Sequence, residues 1–281
     1  MNLKRLYTLL LLAAATNLSY AKDNSRFYVN LSGEYAIPVL GNRGFEDQYI
    51  QTYLAPSAGG NPVSLSSTTK KTSFAAGYWI NGSIGYCISP NLAFDLGIQI
   101  GLSKSKKTYR ETLEEFGDLF TSTTHVGNLL LLSPAIKYRY PLGTNFFIHA
   151  KAGLALPLGA KFYIEDLAYP NRLTNAEVKT RFSLGFTSGI GGEYRIVKHL
   201  WALAEINVTA LNLDAKQKTI VSYSEDGQDL LNKIPEEQRT TYYENDVQYN
   251  LGFTQGRRNV QQPFEIPLSR LGLRLGLSYY F

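Results

Sequence analysis

Three histidines, one cysteine and a scatter of acids are the side chains of this sequence best suited to chemistry. Hydrolysis or acyl transfer needs an imidazole within reach of a nucleophile or an acid. His125 opens one alternating apolar segment, His149 lies inside another, and His199 sits in the short link between two more. Residues so spread in depth cannot share one site. Only His125 has suitable neighbours, in Thr123, Thr124 and Asp118, and such residues are common in any polar loop. No G-x-S-x-G, H-E-x-x-H or phosphate-binding loop occurs. The acidic run "EDGQD" at 225–229 lacks the spacing and the closing Glu of a calcium loop. Cys87 has no base beside it in sequence and reads as a small buried side chain. The expectation is a protein that is not an enzyme, with no catalytic residue, no metal and no cofactor.

A second set of charged residues is better ordered. Asp95, Lys137, Lys151, Glu193, Glu205 and Arg274 each occupy a polar position in a segment that is apolar at every other residue. Eight such segments follow one another, from Phe27 to Ile37, Tyr78 to Ile88, Leu92 to Leu102, Leu130 to Tyr140, Phe146 to Leu156, Phe182 to Ile196, Ala202 to Val208 and Leu271 to Phe281. Period two is the signature of a strand with one apolar face. The links alternate as well. "SPN" at 89–91, "PLGTN" at 141–145 and "IVKH" at 196–199 are tight, whereas the joins near 39–73, 104–125, 158–180 and 214–265 are long. Loops over about 15 residues are uncommon in compact soluble domains. Long loops on one side and short turns on the other are the layout of an outer-membrane barrel.

The predicted fold is therefore all-β: an eight-stranded antiparallel up-and-down transmembrane β-barrel over residues 22–281. In hydrocarbon every backbone N–H and C=O needs a partner within the protein, so a sheet crosses only when it closes on itself. The alternate apolar residues then face lipid. Tyr86, Tyr138, Tyr140, Phe146, Tyr194, Tyr279 and Phe281 fall near the short-turn end, and Tyr35, Tyr78, Phe162 and Phe182 towards the other. Two aromatic girdles are expected there. A soluble lipocalin-like barrel has the same period with its apolar face inward; the loop asymmetry and the export signal favour the membrane.

Counted from the short turns, the six charged residues fall at similar depths, three acidic and three basic. Arg139 and Arg195 lie nearer the short-turn mouth, Arg270 and Glu34 farther from it. Opposite charges in a confined lumen should pair, because an unpaired one is costly. Two readings follow: a structural plug, or the lining of a gated polar path. An eight-stranded bore is barely wide enough for its own side chains, which favours the plug.

Charged residues make up only 18% of the chain and aromatics 13%, with a net charge of +5 that is not clustered, so nucleic-acid binding has little support. Residues 1–21 have a basic start at Lys4 and Arg5, a short apolar run and a small-x-small exit at Ser19-Tyr20-Ala21. They read as a secretory signal peptide. The fourth long loop holds Tyr242, Tyr243, Tyr249, Phe253, Arg257 and Arg258, residue types common at binding hot spots. It could serve an extracellular ligand, or Val247, Tyr249, Leu251 and Phe253 could extend a hairpin above the membrane. If that loop instead supplies two membrane strands, the barrel has ten and a channel gains weight.

The ending "LRLGLSYYF" resembles the terminal signal by which outer-membrane proteins reach the barrel-assembly machinery, carried here by Leu275, Leu277, Tyr279 and Phe281. The layout is similar to the OmpA/OmpX-like eight-stranded superfamily. "GIGGEYRIVKHLWALAEINVTALNL" and "PFEIPLSRLGLRLGL" resemble Bacteroidetes-type outer-membrane barrels. The resemblance implies an outer-membrane location, with lipids and lipopolysaccharide around the barrel and the assembly machinery as a partner during biogenesis.

Overall fold

Alternation at every second residue, repeated eight times, closes into one barrel. The computed structural model describes residues 26–39, 48–54, 63–69, 74–102, 105–113, 117–127, 129–168, 170–244, 259–261 and 264–281; the predicted signal segment lies outside them. The barrel strands are β1 (Phe27–Pro38), β2 (Gly77–Cys87), β3 (Leu92–Gly101), β4 (Leu129–Pro141), β5 (Phe146–Pro157), β6 (Gly185–Arg195), β7 (Leu200–Ala210) and β8 (Arg270–Tyr280). Each pairs antiparallel with the next. β8 returns to β1 in an unbroken register, from Tyr28 opposite Tyr280 to Pro38 opposite Arg270. The closed barrel has eight strands, and the fourth loop adds none to it.

The parity of the sequence is the parity of the wall. Leu31, Ile80, Leu96, Ile136, Ile190, Ile206 and Leu275 are exposed on the outside, and their polar neighbours point in. Outward rings gather at the short-turn end, where Phe27 packs against Tyr86 at 5.0 Å. Tyr35 and Tyr78 pair at 5.2 Å towards the long-loop end. Inward glycines make room for large side chains on the adjacent strand. A Cβ at Gly85 would lie 1.9 Å from the Tyr28 ring, and one at Gly272 would lie 2.4 Å from the Glu34 carboxylate. Glycine within a strand often marks such a close approach.

Beyond the apolar band the chain continues as strand. The long loops rise as hairpins and pair side by side in the order 259–261, 240–243, 212–225, 172–180, 162–168, 117–126, 105–113, 63–69, 48–54. Residues 212–225 follow β7 directly, and odd-numbered positions stay buried from Trp201 through Ala215. At this level the inward residues turn apolar. Leu131, Leu213, Phe162, Ile266 and Leu268, with Phe74 and Trp79, form a packed cluster across the long-loop mouth. The segment 264–269 closes over it: Leu268 donates to the Leu211 carbonyl at 2.9 Å, and Phe74 donates to the Pro267 carbonyl at 3.0 Å.

Phe162 is therefore not part of the outer aromatic girdle. Even-numbered residues face outward along β5, but Gly159 follows with a φ of +79°. That left-handed residue interrupts the strand, and Phe162 lands inside, opposite the buried Val126 and Val178. Phe182, by contrast, is fully exposed on the outside.

Leu275 stands in the middle of the outward face of β8. Its replacement by Arg should destabilise the barrel by about 2–4 kcal/mol, since a cation near the bilayer midplane is costly. Urea-dependent folding into lipid vesicles measures this. Leu275→Phe should fold like the parent, and equal tolerance of both changes would mean that the face is not lipid-exposed.

Candidate functional site: the charged lumen

The strands bring four carboxylates and five cations into the bore, in a middle layer between two aromatic or apolar ones. β8 supplies the pivot. Arg274 lies directly opposite Glu34 on β1 and directly opposite Glu205 on β7. Its Nη2 donates to Glu34 Oε2 at 2.8 Å and its Nη1 to Glu205 Oε1 at 2.9 Å. Glu34 also accepts from Arg270 Nε at 2.9 Å, and Glu205 has Lys151 Nζ at 3.4 Å. Glu193 on β6 pairs with Lys137 and has Arg139 Nη2 at 3.5 Å. Each glutamate is thus shared by two cations. Lys137 and Lys151 face each other across β4 and β5, and each has its own carboxylate, Glu193 for Lys137 and Glu205 for Lys151.

All six residues singled out in the sequence point into the lumen. The structure joins Lys137 to Glu193, and Glu205 to both Lys151 and Arg274. Asp95 has no ion pair among the described residues. It accepts instead from Tyr28 Oη and Ser83 Oγ, each at 3.0 Å. Glu34, Arg270, Arg139 and His149 belong to the same network, although sequence reasoning placed them at other depths. Counting from the turns misses them for two reasons. Barrel strands are tilted and staggered, so equal counts are not equal heights. Arginine also reaches across a level. The pairing of first strand with last was the signal that could have found Glu34 with Arg274. His149 is fully enclosed and its Nε2 lies 3.0 Å from Glu205 Oε2.

Aromatic residues close the short-turn side of this layer. Tyr280 Oη donates to Glu193 Oε2 at 2.7 Å, and its ring lies 5.1 Å from that of Tyr28 and 5.9 Å from that of Trp201. On the long-loop side Arg270 lies over Trp79 at 3.6 Å, donates to Gln99 and marks the step to the apolar cluster. Between them a small polar cavity touches Asn30, Ser83, Asp95, Ser133, Lys151 and Arg274. Its free space suits a water or two.

A closed eight-stranded barrel with an apolar outer belt is the geometry of a bacterial outer-membrane protein. The sequence matches the family model described as "Outer membrane protein beta-barrel domain" over residues 7–233. The chain belongs to that family. In barrels of this kind the short turns are periplasmic and the long loops external. No curated protein matches the sequence. Among solved structures it is similar to the outer membrane protein AlkL in lipid bilayers, at 12% identity and a TM-score of 0.39, covering 94% of this chain and 93% of that one. It is also similar to OprG from Pseudomonas aeruginosa, at 12% identity and a TM-score of 0.37, covering 92% and 96%. The outer membrane protease OmpT from Escherichia coli follows at 10% identity and 0.36, covering 94% and 99%. These likenesses are too distant to carry residues or chemistry across.

The loop residues of the barrel separate. Tyr243 is only 6% exposed and packs edge-on against Phe264 at 5.2 Å, inside the apolar cluster. Burial, then the nearby Asp166 carboxylate, pushes its phenol up to about 12. Its ring is part of the cap and offers no outer binding surface. Tyr242 is half-buried in the external sheet, opposite Gln217 and Val260. Tyr249, Phe253, Arg257 and Arg258 lie outside the described residues, as do Val247 and Leu251. At the other end, Leu275, Leu277 and Tyr279 face outward, and Phe281 packs against Tyr279 at 5.1 Å.

Glu34 neutralises two buried guanidiniums. Glu34→Gln should cost the barrel about 3–5 kcal/mol, because it leaves Arg270 and Arg274 buried without that charge. Replacing Glu34, Arg270 and Arg274 together by apolar residues of similar volume should recover most of the loss. Urea unfolding followed by tryptophan emission reads both, since Trp79 lies under Arg270.

Proposed function

We propose that this outer-membrane barrel does not conduct and is not an enzyme, and that it serves the envelope as a structural element with a surface-interaction role for its external sheet. The supporting observation is the filling of the bore. Three glutamates tie up five cations at mid-depth, aromatic rings lie below them, and an apolar cluster lies above. A solute crossing it would have to break paired buried charges and then part a dry apolar layer, and both steps are costly. The three histidines stand on an external strand, in the lumen and in a periplasmic turn, which leaves none of them beside another.

The purified barrel in planar bilayers should be electrically silent in concentrated potassium chloride. Steady, resolvable conductance steps would overturn this reading in favour of a gated pore for small polar solutes.

The outward row Leu275, Leu277, Tyr279 and Phe281 supports a second part of the proposal, recognition by the assembly machinery before the barrel meets outer-membrane lipids and lipopolysaccharide. Tyr279→Ala with Phe281→Ala should lower the heat-modifiable folded form in cell membranes several-fold, while the purified chain still folds into detergent. Equal loss in both settings would assign these rings to intrinsic stability alone.

A further inference from the structure

Just above the apolar band, on the long-loop side, the outer wall carries a row of lysines. Lys161, Lys179 and Lys216 are all exposed. The register sets them at one height. Phe162 pairs with Val178, so Lys161 and Lys179, one step nearer the membrane, stand side by side. Lys179 pairs with Gln217, and Lys216 is the extra residue of the bulge beside it, where Thr180 pairs with Ala215. Phe162, Val178 and Ala215 are buried inside the mouth, so the alternation turns Lys161 and Lys179 to the outer face. Lys218, two residues beyond Lys216, turns inward and pairs with Asp166 at 3.2 Å.

The three outer lysines have no ion pair among the described residues. Asp214, exposed, and Glu177, half-buried, lie near them and pair with none of them. Like charges directly opposite each other on a sheet destabilise it. An anion on the outer face would remove that cost. The apolar residues below fix the height of the row. Phe182 lies three residues from Lys179 towards the bilayer, and Leu158 three from Lys161; both are exposed, as is Leu184. An aromatic at the edge of the apolar band settles at the interface. Lysine stems lie along such a surface and hold their ammonium groups above it. The row is thus at the level of headgroup phosphates. Lysine binds phosphate as a point charge, so several ammonium groups can gather on one phosphate.

We propose that Lys161, Lys179 and Lys216 bind a phosphate of the phosphorylated glycolipid of the outer leaflet, whose acyl chains lie against Leu158, Phe182 and Leu184. This rests on the outer-membrane location and is independent of the closed lumen, so conductance steps would leave it standing. The full barrel, folded in uncharged maltoside micelles, is titrated with bisphosphorylated lipid A, with lipid A stripped of its phosphates, or with inorganic pyrophosphate, and bound lipid is counted by native mass spectrometry. Saturable binding of the bisphosphorylated lipid is expected, weakened by added salt as an exposed charge contact should be. Lys161→Gln with Lys179→Gln should weaken it about tenfold or more, the loss of charge-assisted contacts, and arginine at both positions should retain it. Lys233→Gln removes an exposed charge from the distal segment 231–233 and should leave binding unchanged. If the double variant does not give the heat-modifiable folded form, Lys216→Gln carries the same expectation at smaller size. Unchanged binding in the folded variant overturns the proposal, as does equal binding of the dephosphorylated lipid or equal weakening by Lys233→Gln. Pyrophosphate that displaces the lipid at equal concentration would make this a free-anion site and overturn the lipid assignment.

Discussion

A backbone amide in hydrocarbon has no partner except another group of the same protein, and the rest of this structure follows from that constraint. An open sheet would leave a row of such groups bare at each edge. The chain removes both edges by pairing its last barrel strand with its first over the whole length of β1. Closure at eight strands then sets the bore, which is only as wide as the side chains that fill it. Everything inside must fit and must be satisfied from within.

The lumen meets that demand with charge where the strands face each other most directly. Arg274 has a glutamate opposite it on each neighbouring strand, so one guanidinium ties β1, β8 and β7 together at the seam that closes the barrel. Replacing such a pair wholesale by apolar groups is often neutral, whereas losing one member is not. The network is therefore a poor source of net stability and a strong source of register. A strand slipped by one residue would turn its whole inward set of side chains to lipid. Glycine shapes the fit: Gly272 leaves the space that the Glu34 carboxylate fills, and Gly85 does the same for the Tyr28 ring.

The layers above and below the charges are as consequential as the charges. Trp79 under Arg270 joins the polar layer to the apolar cap. Tyr28 and Tyr280 join it to the periplasmic rings through hydroxyls that donate to Asp95 and Glu193. In both cases an amphipathic residue spans the boundary: the tyrosines by their hydroxyls, and Trp79 by a ring face under Arg270 while its Nε1 donates to the Ala75 carbonyl at 2.7 Å. The cap draws on segments that leave the membrane, which is why Tyr243 and Phe264 of the longest loop end as core residues.

The sequence by itself determined eight alternating segments, the short-turn and long-loop ends, and which residues of each barrel strand share a face, because a period of two in the chain is a period of two in the wall; closure at eight rather than ten strands was decided by the pairing of the last strand with the first. It also determined that charges such as Lys137, Glu193 and Arg274 share an interior. Only the tertiary structure decided who pairs with whom. Strand tilt shifts heights that counting treats as equal, so Glu34 and Arg270 join the network while Asp95 turns to hydroxyls. The apolar cap was equally hidden. Leu131 and Leu213 carry on the inward parity of their strands, but only the fold shows that this level is capped, by Phe162 turned in after Gly159 and by the inward path of 264–269.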